Sequence, residues 1–171
     1  PQEVQAQWLV RSYLEMAASG IDRALMYMSR DVYHPASRKY TSSGLTREKW
    51  NDHAPKTSFF YVAAFRHLLK NYRFEKELPS GQAQVNLYRF RHVAGDSLVY
   101  AVWSLTAQAR TLPQFPVAVT GQDSVKLLQL QDQSPLPTDS LVPRHNDSVR
   151  VPVSEKPHFL KTVAQDSQAP V

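Results

Sequence analysis

Residues 4–28 read VQAQWLVRSYLEMAASGIDRALMYM, and the fold depends on how this stretch divides. Over 3–19, Val4, Trp8, Leu9, Tyr13, Met16 and Ala17 recur at three- and four-residue steps. That spacing predicts an amphipathic helix with these residues on one face. Ser19-Gly20 stops it, Gly20 being suited to the left-handed position just past a helix. Ala24-Leu25-Met26-Tyr27-Met28 follows almost without a loop. A short continuous apolar run of this kind predicts a strand covered on both faces, as in a parallel sheet flanked by helices.

Beyond it lies a long polar segment, 29–55, which holds Ser29, Arg30, Asp31, His34, Pro35, Trp50, Asp52 and His53. A loop of that length tends to carry function. Lys56–Leu69, rich in Phe and Tyr, predicts a second helix. Helix, strand, loop and helix leave one parallel strand with no neighbour, so 1–70 is expected to be the end of an α/β domain. The chain opens on Pro1 with a helical pattern already under way, which points to something preceding it.

From Tyr72 the hydrophobic period becomes two. Candidate strands are 72–78, 83–93, 97–107, 115–120, 124–131, 148–154 and 158–163. Turn signals at 79–81, 94–96, 120–122 and 145–147 separate several of them. Short strands with such spacing predict an antiparallel β-sandwich or barrel. Leu98, Tyr100 and Val102 alternate with Val99, Ala101, Trp103 and Leu105, so 98–105 is expected to be a central strand, apolar on both faces. The expected organisation is an α/β part over 1–70, a β-sandwich over 71–163 and a polar tail over 164–171.

Composition narrows the chemistry. The 171 residues include no cysteine, which excludes a disulfide framework, a cysteine-ligated zinc site and a thiol nucleophile. The net charge of +5 is mildly basic, with no block of like charges. The longest strongly apolar run, Phe59–Phe65, is far short of the ~20 residues a membrane span needs. No signal-peptide pattern opens the chain. The histidines 34, 53, 67, 92, 145 and 158 lack the spacing of a helical metal site, and no metal is expected. No nucleophile elbow, Walker loop or dinucleotide glycine pattern is present, and no cofactor is expected. Arg66, Lys70, Arg73, Arg89 and Arg91 interleave with Tyr72, Phe74, Tyr88 and Phe90. Amphipathic strands that bury their aromatics account for this, and no nucleic-acid partner is expected.

Five pieces then stand in a telling order: VQAQWLVRSYLEMAASGIDRALMYMSRDV (4–32), SSGL (42–45), PKTSFFYVAAFRHLLKNYRF (55–74), VYAVWS (99–104) and VSEKPHFL (153–160). Together they resemble the C-terminal part of clan A glycoside hydrolases of the bacterial cellulase or xylosidase kind. The resemblance implies an α+β fragment, namely the last helix–strand–helix of a (β/α)8 TIM barrel followed by an antiparallel β-sandwich. On it, 3–19 is the seventh barrel helix, 23–28 the eighth strand and Lys56–Leu69 the eighth helix. It implies hydrolysis of O-glycosidic bonds in poly- or oligosaccharides, a periplasmic or secreted location and a partner in the missing N-terminal barrel. The family's two catalytic glutamates end the fourth and seventh strands, both before Pro1, so no catalytic residue is assigned in this chain.

Barrel active sites lie at the C-terminal strand ends. Ser29, Arg30 and Asp31, with His34 behind them, are therefore candidate sugar-binding residues; the alternative is an Arg–Asp pair bracing a surface loop. Trp50 offers a stacking face for a pyranose, or, more plainly, an anchor for its loop; Tyr33 and Tyr40 carry the same ambiguity. Asp22-Arg23, at the stability-facing end of the strand, reads as structural. The alternative for the whole chain is a non-catalytic carbohydrate- or protein-binding β-sandwich capped by helices.

Overall fold

The computed structural model describes residues 2–32, 41–105, 111–120 and 124–162. His34, Tyr33, Tyr40 and the 164–171 tail lie outside the described residues. The chain forms two compact units, one of 1–70 with 130–137 and one of 71–129 with 138–171.

The first unit is built on α1 (Gln2–Ala18) and α2 (Thr57–Leu69), with a short 3-10 turn at Lys49–Asn51. α1 ends as expected. Gly20 takes φ +75°, its amide donates to the Ala17 carbonyl at 3.2 Å and the Ile21 amide to Met16 at 3.0 Å. This is the double bond pattern of a Schellman cap. The buried face of α1 differs from expectation: it is Ala6, Val10, Arg11 and Leu14, while Val4 and Trp8 remain 42% and 53% exposed. α1 is apolar over more than one stripe, and packing against α2 selects among them. Tyr13 stacks on Phe65 with ring centroids 6.0 Å apart. On α2, Tyr61 and Ala64 are fully buried. The Tyr61 hydroxyl donates to the Asp132 carboxylate at 2.8 Å. Burial, and then that carboxylate, push the phenol's pKa upward.

Residues 23–28 do not have the two-sided cover expected of them. Leu25 and Tyr27 are 95% and 98% exposed, whereas Ala24, Met26 and Met28 are half-buried. That period of two is strand-like. Among the described residues, however, no backbone hydrogen bond is made by Asp22–Met28.

The strands form a six-stranded sheet in the order β1 (Tyr72–Glu77), β2 (Val85–His92), β3 (Leu98–Ser104), β8 (His158–Thr162), β5 (Ser124–Gln131), β6 (Ser134–Pro143). A two-stranded sheet pairs β4 (Leu112–Ala118) with β7 (Ser148–Val153). β3 is central and buried along its whole length, as its two apolar faces predict. Leu87, Tyr100, Val102, Leu127 and Leu160 of the larger sheet pack with Phe115, Val117, Val149 and Val151 of the smaller one. This is the core of a β-sandwich. On the opposite face of β2 and β3, Tyr88 meets Trp103 edge-on at 4.9 Å. The turn after 144 uses Asn146 (φ 47°) and Asp147 (φ 63°), the paired positive φ of a tight hairpin. β6 was not expected, because Pro135, Pro137 and Pro143 argue against a strand. It lies at the sheet edge, where a missing amide donor costs nothing on the solvent side.

Candidate functional site

The first unit contains a groove of about 970 Å³. Val4, Trp8 and Leu9 of α1 and Met26, Tyr27 and Met28 of the extended segment form its apolar wall, and Asp31, Arg47, Glu48 and Lys56 stand on its polar side. Three chain segments meet at that polar side, which is the place the sequence marked as a strand end.

Asp31 is buried. Its Oδ1 accepts the Gly44 amide at 2.8 Å and the Lys56 ammonium at 3.1 Å, and its Oδ2 accepts Lys56 at 3.2 Å. Lys56, 4% exposed, also donates to the Ser42 carbonyl at 2.8 Å. Gln5 of α1 donates to the carbonyls of Ser43 at 3.0 Å and Gly44 at 3.2 Å. The Leu45 and Thr46 amides donate to the Ser29 carbonyl, and Arg30 bridges Thr46 in parallel register. The result is a loop closed by a buried ion pair, in which each charge is satisfied by the other and by backbone groups.

Gly44 is required by close approach. A Cβ there would overlap the Arg30 carbonyl carbon and the Asp31 amide nitrogen, both backbone atoms. Gly44→Ala is expected to cost about 3 kcal/mol by overpacking. A thermal melt of the variant checks this, and an unchanged Tm would mean the two loop strands can separate without penalty.

The candidate residues of the sequence therefore part company. Asp31 does brace a loop, but through Lys56, and its carboxylate is committed. Ser29 contributes its carbonyl to the same closure, and Arg30 is exposed beside it. Trp50 is 78% exposed on the 3-10 turn, which is not the burial of a loop anchor. That turn is held by a hydrogen bond from Asn51 to Glu48 and is followed by Asp52 and His53 at φ 49° and 53°. Two successive non-glycine residues in the left-handed region mark local backbone strain, a feature that clusters at functional loops. Lys56 and Tyr27 also line the groove, and neither is among the sequence's candidate sugar-binding residues. Lys56 looked like a helix start, and Tyr27 like one more apolar residue in a buried run. Among the described residues, no group of three or more His, Cys, Asp or Glu is placed to hold a metal ion. No helix among them is long and apolar enough to cross a membrane.

No family model and no curated protein matches the sequence. Solved structures do match the fold. A family 39 glycoside hydrolase from the gut symbiont Bacteroides cellulosilyticus WH2 superposes over 95% of this chain with a TM-score of 0.69 and 21% identity. A family 30 subfamily 8 xylanase from Clostridium acetobutylicum covers 70% at a TM-score of 0.49 and 12% identity. The catalytic domain of a family 30 xylanase from Talaromyces cellulolyticus covers 71% at 0.48 and 13%. The chain spans less than a third of the length of these structures: 31%, 30% and 28%. Its fold is that of part of the family 39 structure: two helices and an antiparallel β-sandwich.

Proposed function

We propose that this chain belongs to a bacterial, exported glycoside hydrolase acting on O-glycosidic bonds in poly- or oligosaccharides. It supplies the end of the barrel, one rim of the sugar cleft and the accessory β-sandwich. The remainder of the barrel supplies the general acid and the nucleophile or base, as the oxocarbenium-like transition state requires two carboxylates. The domain division follows the sequence: barrel end over 1–70, sandwich over 71–163, polar tail over 164–171. The single observation that supports this best is the superposition of 95% of the chain on the family 39 enzyme at a TM-score of 0.69.

At the rim, Trp50 offers an exposed indole whose face suits the apolar face of a pyranose. Ser29, Arg30 and His34 are the further candidate sugar-binding residues, whereas the Asp31 carboxylate is committed to Lys56 and the Gly44 amide. The test is to express the full reading frame that contains this chain and assay aryl glycosides and xylo- or cello-oligosaccharides. The full product is expected to hydrolyse them and the 171-residue chain to be inactive. Trp50→Ala in the full product is expected to raise KM by about tenfold, the value of roughly 1.4 kcal/mol of lost stacking. Turnover by the 171-residue chain alone would defeat the proposal, as would a full frame without a pair of glutamates at strand ends.

A further inference from the structure

We propose that one face of the β1–β2 pair is a binding strip for an acidic polysaccharide, whose carboxylate or sulfate groups are held by Arg73, Lys76, Arg89 and Arg91. The choice of a glycan as occupant rests on the function read above; the preference for an anion rests on the strip itself.

Strand register builds the strip. β1 pairs antiparallel with β2, with Arg73 directly opposite Arg91 and Lys76 opposite Arg89. Residues opposite one another share a face, as do residues two apart on one strand. A bulge between Phe74 and Lys76 re-aims Glu75 toward the same side. There its carboxylate accepts Arg89 Nε at 2.7 Å and Arg91 at 2.9 and 3.2 Å. Four cations thus share one carboxylate. Like charges directly opposite in a sheet destabilise it, and the strip holds two such pairs. Arg73 donates to the Tyr72 carbonyl, and among the described residues neither Arg73 nor Lys76 has a carboxylate partner. Arg73, Lys76 and Arg91 are exposed, and β1 is the last strand of its sheet. A face built only for stability would alternate its signs across the pair. This one gathers positive charge and uses Glu75 to orient two guanidinium groups, and Arg91 keeps N–H donors beyond those given to Glu75.

The chemistry of the face selects the occupant. Arginine forks suit planar or tetrahedral oxyanions. The aromatics of the two strands lie on the other face, where Phe74 stands opposite Phe90 and edge-on to Tyr88, and Tyr88 and Phe90 are buried. β1 and β2 therefore offer no exposed ring on the basic face, the platform on which the bases of single-stranded nucleic acid stack. A polyanionic glycan is held by its charged groups and needs none.

The test is binding of the full-frame product to polygalacturonate, which carries carboxylates, and to heparin, which carries sulfates. Single-stranded DNA and a neutral xylan are measured alongside, at about 0.15 M ionic strength, where the Debye length is about 8 Å. At least one acidic glycan is expected to bind, and which one does tells carboxylate from sulfate. Arg73→Gln and Arg91→Gln are each expected to weaken that binding about tenfold. Both are expected to leave binding of neutral xylan unchanged. Arg150→Gln, an equal loss of charge on β7 of the smaller sheet, is expected to change neither. Arg73→Gln is also expected to keep or raise the Tm, because it relieves a like-charge pair, so its lost binding is not lost folding. Absence of acidic-glycan binding, or wild-type affinity in both strip variants, overturns the proposal. DNA bound as tightly as either glycan through the same arginines overturns it in favour of nucleic acid. Glycan binding without any glycosidase activity supports the strip and defeats the function; activity without such binding defeats the strip alone.

Discussion

Lys56→Met is expected to lower the stability of the protein by about 3–5 kcal/mol, the cost of leaving one charge of a buried pair uncompensated. Asp31 and Lys56 have side chains only 11% and 4% exposed, and their closest approach is 3.1 Å. Methionine keeps the volume of the lysine stem and removes the ammonium. Asp31 then retains the Gly44 amide as a donor, and the Ser42 carbonyl loses the lysine's. Urea unfolding of the variant measures the loss. Asp31→Asn combined with Lys56→Met is expected to recover a large part of it, because the asparagine oxygen still accepts the Gly44 amide and no buried charge is stranded. A loss under about 1 kcal/mol for the single variant would mean that water screens the pair as it does a surface salt bridge.

Acid is expected to destabilise the sandwich through His158. This residue is buried on β8, opposite Val102 of β3 and Gln129 of β5, and among the described residues its Nδ1 has no hydrogen-bond partner. Burial first, and the nearby Lys156 charge second, push its pKa down to about 4 from the ordinary 6.5. The folded state therefore holds the imidazole neutral, while the unfolded chain protonates it near 6.5. Stability is full above pH 6.5 and falls as the pH drops through the window down to about 4. The full difference corresponds to about 3 kcal/mol. The check is urea unfolding at pH 7.5, 5.5 and 4.5, compared with His158→Leu, which lacks the proton site. The variant is expected to lose the portion of the pH dependence between 6.5 and 4. A wild-type slope identical to that of the variant would refute the assignment.

Much of the β-part was legible because its signals are local. The turn at Asn146-Asp147, the two apolar faces of β3 and the period-two runs of β2, β7 and β8 each act through neighbours in sequence. β6 was not legible, because its prolines are forbidden in a central strand and tolerated on an edge, and edge position is a property of the sheet. The α1 cap was read correctly from Ser19-Gly20, since a left-handed residue after a helix is again a local demand. The buried face of α1 was not. Val4-Trp8 and Ala6-Val10-Leu14 both satisfy the helical period, and only contact with α2 distinguishes them.

The candidate site divides in the same way. The sequence placed chemistry at residues 29–31 and at Trp50, from the position of a strand end and from the exposure-prone character of a polar loop. It held no information that Asp31 would be spent on Lys56, because the two are 25 positions apart and meet only through the folding back of the loop. By itself, the sequence determined the two helices, the α1 cap, the turn at 145–147 and most strands of the sandwich. The tertiary structure alone decided which helix face is buried, which carboxylate is already satisfied and which strand edge is left open. Element type is set by short-range backbone preference and periodicity, whereas burial, ion pairing and edge position depend on which distant segment arrives as the neighbour.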